Sequence, residues 1–348
     1  MSRKKIGVIG ATGYTGSEIV RILSQHPEVD IVLITSESRA GEKFSDVHPF
    51  FQGIVDDRLY TADRVDDTEL DLVFLALPHG VSMEYVKRFA GRNFRIVDFS
   101  GDFRLASAQV YEQWYGKEHV YPEGFDGVVY GLPELFAGEI GDARLVANPG
   151  CFPTGAILAV APLVETNLVR PDGIIIDSKT GVTGAGIKAS ATNMFSKVND
   201  NFKAYGIKTH RHTIEIQSIL EKVTDTLSPV QFTPHLLPVD RGILTTVYAR
   251  PAEQTGPAGA GQFSERFREY YRNKPFVRIC EQPPEIKDVR ASNYCNIYAD
   301  YDERTGNVIV ISAIDNLVKG AAGLAVQNMN VMFGFNETMG LGHVPINP

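Results

Sequence analysis

Cysteine is scarce in this chain: Cys151, Cys280 and Cys295 are the only three in 348 residues. They form no metal-binding spacing and no even-numbered disulfide framework, which excludes a stapled secreted scaffold and points to a reducing compartment, with no metal site expected. No apolar run approaches the roughly 20 residues needed to cross a bilayer, so no membrane span is expected. The opening MSRKKIGVIGATGYTG carries basic residues, but the apolar run behind them is short and broken by glycine, unlike a signal peptide. Positive charge is also in deficit, with 34 Lys and Arg against 42 Asp and Glu and a net charge of -8. Nucleic-acid binding needs a basic face and is excluded as a general property. A few local Arg, Lys and backbone N–H groups can still hold an anionic small molecule. Internal repeats and low-complexity tracts are absent. These absences describe a soluble, cytoplasmic protein.

What is present is ordinary globular material: 43% hydrophobic and 22% charged residues, enough for a large core. The length exceeds a usual single core, so two domains are expected. KIGVIG is a short apolar run, followed by Gly-rich ATGYTG and by SEIVRILSQ, where Ile19, Val20, Ile22 and Leu23 have helical spacing. DIVLITS, then DLVFLALP ending at Pro78-His79-Gly80, then RIVDFSG continue the alternation. This predicts an α/β domain with a parallel, doubly wound sheet covered by helices on both faces. After about Asn148 the character changes. GIIIDSK, VQFTPHLLPV, GILTTVYAR, YCNIYAD and NVIVISAI read as longer, partly alternating strands of a mixed or antiparallel sheet. The last segment, NLVKGAAGLAVQNMNVMFG, has helical apolar spacing and is expected to pack back on the first domain. Residues 252–262 form the best surface-loop candidate.

Gly10, Gly13 and Gly16 lie between the first strand and the first helix, spaced G-x-x-G-x-x-G. Glycine there permits a tight turn and a close approach of pyrophosphate to backbone N–H groups at the helix start, and Thr12, Tyr14 and Thr15 complete the candidate turn. The alternative is a Gly-rich connection needed only for strand–helix packing. Leu77 and Pro78, where the third apolar run ends, are further cofactor candidates. After the second strand comes Thr35-Ser36-Glu37-Ser38-Arg39, in which Ser36, Ser38 and Arg39 favour NADP over NAD and Glu37 is expected to point away.

Cys151 stands in Asn148-Pro149-Gly150-Cys151-Phe152-Pro153-Thr154, ahead of the apolar GAILAVAPLVE. Pro153 suits a first helical turn, which places Cys151 at a helix N-terminus where the dipole favours the thiolate. An isolated cysteine can equally be a small buried hydrophobe, the reading preferred for Cys280 and Cys295. A thiolate beside a nicotinamide implies attack on an acyl carbon followed by hydride reduction, with a histidine as acid/base. Thr209-His210-Arg211-His212-Thr213-Ile214-Glu215-Ile216 gathers two His, an Arg and a Glu. Its alternative is a polar helix start capped by Thr213. His26, His48, His79, His119, His235 and His343 lack such company and read as structural.

Taken together, GATGYTG, FLALPHG, VDFSGDFRL, YGLPEL, ANPGCFPT, TGVTGAG, HRHTIEI and AIDNLVKGAAGLAVQNMN resemble the N-acetyl-gamma-glutamyl-phosphate reductases of arginine biosynthesis, from residue 7 to about 330. The resemblance implies the architecture of the wider aspartate-semialdehyde and glyceraldehyde-phosphate dehydrogenase group. Residues 1–149 and 317–348 would form an NADP-binding Rossmann domain, and 150–316 an α+β catalytic and oligomerisation domain. It also implies NADPH-dependent reduction of an acyl phosphate to a semialdehyde and phosphate through a thioester on Cys151, in a homodimer or homotetramer. His212 becomes the acid/base and His210 a substrate-pocket residue. Arg104 and Asn148 would contact the substrate, with Glu215 and Arg241 in lesser roles. Ser178, Gly181, Thr183 and Gly184 resemble the loop facing substrate and nicotinamide, and Asn316 the residue near the nicotinamide amide. The family's SGxSGAGR pattern is altered here to SKTGVTGAGIK, so Lys188 would meet an anion without bidentate geometry. Close alternatives are aspartate-semialdehyde dehydrogenase and aminoadipyl-phosphate reductase, and a non-catalytic alternative is an NADP-binding regulatory protein.

Overall fold

The computed structural model describes residues 2–191, 193–255 and 261–347. The chain divides into two compact units: Met1–Pro149 with Ala321–Gly342, and Gly150–Gly320 with His343–Pro348. The expected crossing back at 317 falls instead at Ala321, because the turn of Leu317 and Val318 is tied by its own amides to Asp315 and Gly320 N donates to Asp315 O. The tail after Gly342 belongs to the second unit, where Ile346 N donates to Arg290 O at 3.0 Å.

The first unit is built on β1 (Lys4–Ile9), β2 (Val29–Thr35), β3 (Leu72–Leu75), β4 (Arg95–Asp98), β5 (Val128–Tyr130) and β6 (Leu145–Ala147), all parallel, in the order β2-β1-β3-β4-β6-β5. Strand β3 is apolar and buried along its length, and β4 is buried from Ile96 to Asp98, as parallel strands covered on both faces require. Its helices are α1 (Tyr14–Leu23), α2 (Phe44–Val47), α3 (Ser82–Arg88), α4 (Ala108–Tyr115) and α5 (Pro133–Asp142). The first strand turns to β2 on one side, and the chain then crosses to β3 on the other. That reversal makes the carboxyl ends of β1 and β3 the ligand-binding crevice of such a sheet. The short strands β5 and β6 were not legible in the sequence, three residues each being too few for a period.

The second unit opens with the 15-residue α6 (Cys151–Glu165) and continues through β7 (Ile175–Thr180), α7 (Phe195–Val198), β8 (Lys203–Ala204), α8 (His212–Val223), β9 (Gln231–Leu236), β10 (Ile243–Ala249), α9 (Gln262–Tyr270), β11 (Val277–Ile279), β12 (Cys295–Asp302) and β13 (Asn307–Ile314). Its strands form one mixed sheet, β11-β12-β13-β10-β7-β9-β8, as the alternating runs predicted. Helix α6 is buried from Phe152 to Val164, apolar on every side, and packs on β10, β13 and α8. A helix with no polar face is stable only inside a protein, so this one is the axis of the unit. Of the expected loop at 252–262, Glu253–Thr255 is a short 3-10 turn and α9 starts at Gln262, while 256–260 lie outside the described residues. A π-turn at Val318–Ala322 leads into α10 (Gly323–Phe333), which packs against α1 and α5 of the first unit.

Candidate active site

In the first unit the glycine turn forms at the end of β1. Gly10 adopts φ +84°, and a Cβ there would lie 2.5 Å from Ala76 O, so only glycine lets the ends of β1 and β3 come this close. A Cβ at Gly16 would lie 2.3 Å from Gly10 O, which makes that residue the packing glycine of helix against turn. Gly13 is different: it is the extended N-cap of α1, with open space where its Cβ would be. No side chain caps α1 and its first turn holds no acid. Uncapped N–H groups and an unobstructed glycine suit an anionic pyrophosphate. Thr12 Oγ1 and Ser36 Oγ lie 3.1 Å apart, joining the turn to the end of β2. Ser38 and Arg39 are exposed, with Arg39 paired to Glu42 at 3.1 Å. The Glu37 carboxylate accepts from Ala62 N at 2.9 Å. Tyr14 is exposed, Thr15 and Leu77 are half-buried, and Pro78 is exposed.

Asn148 and Arg104 belong to the same unit and are both buried. Arg104 Nε donates to Asn148 O at 2.7 Å and Nη2 to Phe99 O at 2.5 Å. Asn148 donates from Nδ2 to Ala321 O and accepts from Asn328 Nδ2 at 3.0 Å. The chain therefore approaches Gly150 along a path fixed by side-chain and backbone bonds.

In the second unit Gly150 is the extended N-cap of α6 and Cys151, half-buried, is its first helical residue. The helix has no side-chain cap and no acid in its first turn, and its positive end favours the thiolate. Glu215, fully buried on α8, accepts from Gly150 N at 2.8 Å. Expected in substrate recognition, it holds the backbone beside Cys151, and its other oxygen lies 4.0 Å from His212 Nε2. His210 and His212 lie with ring centroids 4.8 Å apart, both edge-on to Phe152. His212 N donates to His210 Nδ1 at 3.2 Å, which leaves Nε2 as the His210 donor. Burial, with the neighbouring Arg211 charge, pushes His210 down to about 4. Thr213 does not cap α8, whose N-cap is Arg211, and its hydroxyl is buried.

Two neighbours of the thiol escaped sequence reading. Burial and the Cys151 charge push the Tyr205 phenol up, and its ring lies edge-on to His210 at 5.4 Å. A Cβ on Gly320 would lie 2.9 Å from Cys151 Cβ, so the π-turn passes directly behind Cys151. A tyrosine five residues before the first histidine, and a glycine in a helical run, were the available signals. Cys295 is buried as expected, whereas Cys280 is only half-buried because it ends an edge strand, and burial still raises its thiol.

The loop after β7 is knotted to Asn316. Asn316 Oδ1 accepts from Gly242 N at 2.8 Å and Nδ2 donates to Thr183 Oγ1 at 2.9 Å, while Thr183 Oγ1 donates to Asp240 O at 2.6 Å. Gly181 passes so close to Asp240 O that a Cβ would sit 2.7 Å away, and Gly184 lies near Asn316. Asn316, expected at the nicotinamide amide, thus ties three loops together. Ser178 is fully buried between strands, its hydroxyl 2.8 Å from Thr245 Oγ1. Arg241 lies 3.5 Å from the buried Asp315 carboxylate, and Lys188 is exposed.

Comparison with known proteins matches residues 5–143 to the semialdehyde dehydrogenase NAD binding domain and 151–316 to the semialdehyde dehydrogenase dimerisation domain. Among curated relatives, the N-acetyl-gamma-glutamyl-phosphate reductase of Pelotomaculum thermopropionicum is 49% identical over 99% of both chains. That of Methanocaldococcus jannaschii is 47% identical over 99% of this chain and 100% of its own. Among solved structures, aspartate semialdehyde dehydrogenase II from Vibrio cholerae, complexed with ASA, aligns with a TM-score of 0.73 at 15% identity, over 96% of this chain and 99% of that one. The Candida albicans enzyme with NADP gives 0.68 at 19%, over 95% and 99%. At such identities these structures speak for the fold alone.

Proposed function

The chain belongs to the N-acetyl-gamma-glutamyl-phosphate reductase family, and from that premise we propose that it reduces N-acetyl-gamma-glutamyl phosphate to the semialdehyde and phosphate, using NADPH. The observation that carries this reading is the Cys151 thiol at the start of a buried helix, with Glu215 on the preceding amide and two imidazoles edge-on to the ring of the next residue, Phe152. The Cys151 thiolate attacks the acyl carbon, phosphate leaves, and a thioester remains on sulfur. Backbone N–H groups at the α6 start counter the charge on the carbonyl oxygen, a contribution of about 3 kcal/mol per well-placed donor, and the phosphoryl group is assigned to Arg104. When bound, NADPH supplies the hydride that reduces the acyl carbon. His212, with Glu215 behind it, takes the thiol proton during acylation and returns a proton as the aldehyde departs and the thiol is restored. His210, kept neutral by burial, donates a hydrogen bond from Nε2 to substrate. Cofactor contacts fall to Gly10–Gly16, Ser36, Ser38, Arg39, Leu77 and Pro78. The engagement of Glu37 with Ala62 N supports NADP over NAD. Substrate contacts beyond the Cys151 cluster fall to Asn148 and Arg241. Ser178, Gly181, Thr183, Gly184 and Asn316 act by shaping the loop behind it.

A homodimer or homotetramer assembled through the second unit accords with the dimerisation-domain match, and a cytoplasmic location with three free thiols. Phosphate-dependent oxidation of the three candidate semialdehydes tests the substrate. N-acetylglutamate semialdehyde should be oxidised with the highest kcat/KM. A preference for aspartate or aminoadipate semialdehyde overturns the assignment, and failure to trap an acyl group on Cys151 overturns the covalent route.

A further inference from the structure

In the first unit the carboxyl ends of β3 and β4 each lead into a loop that carries part of the proposed site. The β3 loop holds Leu77 and Pro78, and the β4 loop holds Arg104. The two are stitched together by buried bonds. Gly80 N donates to both oxygens of Asp102, at 2.8 and 2.9 Å, and Met83 N donates to Asp102 Oδ2 at 3.0 Å. Gly101 N donates to His79 Nδ1 at 2.7 Å, and Ser82 Oγ to Asp98 Oδ1 at 2.5 Å. The Tyr111 hydroxyl donates to Asp102 Oδ1 at 3.1 Å, and Asp102 itself has no exposed surface.

A buried carboxylate that accepts from two amides and a phenol is held firmly, because each of those donors would otherwise be buried without an acceptor. Helix α3 has no cap from its own N-cap residue, and Asp102 supplies the missing acceptor from the neighbouring loop. Two residues on, the guanidinium of Arg104 is aimed by the carbonyls of Phe99 and Asn148, and Asn148 N in turn donates to Asp98 O at 2.8 Å. A shift of the β3 loop therefore reaches Arg104 through Asp102 without passing through solvent.

We propose that Asp102 is a positioning residue that makes the β3 and β4 loops one body, so that occupancy at the cofactor side and at Arg104 is coupled. This rests on the reading that Leu77–Gly80 meets the cofactor and Arg104 the phosphoryl group. If Asp102 served only to cap α3, its loss would lower stability and leave the two ligands as coupled as before.

The test titrates NADP+ into the full-length chain with and without saturating inorganic phosphate, the co-substrates of the reverse reaction. In the unaltered protein phosphate should tighten NADP+ binding about fivefold or more, the lower end of usual coupling between sites. Asp102→Asn should bring that ratio to about one while each ligand still binds, since the amide keeps the size but cannot accept from both amides and the phenol. Tyr111→Phe, which removes one donor and keeps the carboxylate, should lower the ratio part of the way and guards against an Asp102 variant that does not fold. A ratio of one in the unaltered protein, or an undiminished ratio in either folded variant, overturns the proposal. Arg104→Lys tests the reading beneath it: unchanged phosphate affinity there sinks the assignment of Arg104, whereas a loss there beside an undiminished ratio in Asp102→Asn sinks the coupling alone.

Discussion

The starts of α1 and α6 make an instructive pair. Each follows a buried parallel strand or its immediate extension, each has an extended glycine as N-cap, and neither has a side-chain cap or an acid in the first turn. Both helix ends are thus left with the positive dipole uncompensated by their own sequence. What differs is the surroundings. At α1, Gly13 has open space beside it and the exposed Tyr14 follows. At α6 the first helical residue is a cysteine, the preceding amide is taken by a buried glutamate, and all that follows is core. On the proposed function, the same local device would hold a diffuse anion in one unit and stabilise a nucleophilic sulfur in the other. On that reading, openness makes a binding turn and enclosure a reactive one.

The comparison breaks most sharply at the sulfur. Cys151→Ser should lower turnover about a thousandfold or more while NADPH affinity, measured by fluorescence titration, stays within about twofold. Near-normal turnover would show that the α6 start is no more reactive than the α1 start. Next in size, Gly16→Ala places a methyl against Gly10 O and should weaken NADPH binding by about a hundredfold with a lower Tm, because backbone must yield. Gly13→Ala is milder. Its methyl meets no protein atom, so Tm should hold or rise slightly while NADPH binding falls about tenfold, and iodoacetamide alkylation of Cys151 stays unchanged. An unaffected NADPH affinity would remove Gly13 from the pyrophosphate site.

The smallest effects concern pH, and here the two units pull in opposite directions. Burial and the nearby Asp102 charge push Asp98 up to about 6. Between its ordinary value of 3.8 and that point the folded chain binds the extra proton, so this contribution to stability declines as pH rises. His210, pushed down to about 4 from 6.5, does the reverse: the unfolded chain binds the extra proton, and stability is lost as pH falls through that window. Each amounts to at most about 3 kcal/mol, and they largely cancel between about pH 4 and 6. Urea melts across that range should show a steeper acid loss in Asp98→Asn and a shallower one in His210→Gln. Parallel pH profiles for all three proteins would contradict both shifts.

Much of the fold was legible because it rests on period and punctuation. The apolar runs of β1 to β4, the three glycines after β1 and the longer alternating strands of the second sheet each carry their signal within a few residues. Cys151 was legible as a helix start from Pro153. The roles of its neighbours were less so. Glu215 lies on α8, and only folding brings its carboxylate to Gly150 N. Tyr205 and Gly320 reach the thiol from distant segments, and Asn316 and Ser178, singled out by their place in motifs, prove to be tied into loops and sheet.

By itself the sequence determined which residues could react and which segments would be strands, helices and turns, since propensity, period and pKa class belong to residues and their near neighbours. Only tertiary structure decided which groups meet. Whether a carboxylate touches substrate or holds a backbone amide, and whether an imidazole stays neutral, depends on burial and on partners up to hundreds of residues away, and those are properties of the packed chain.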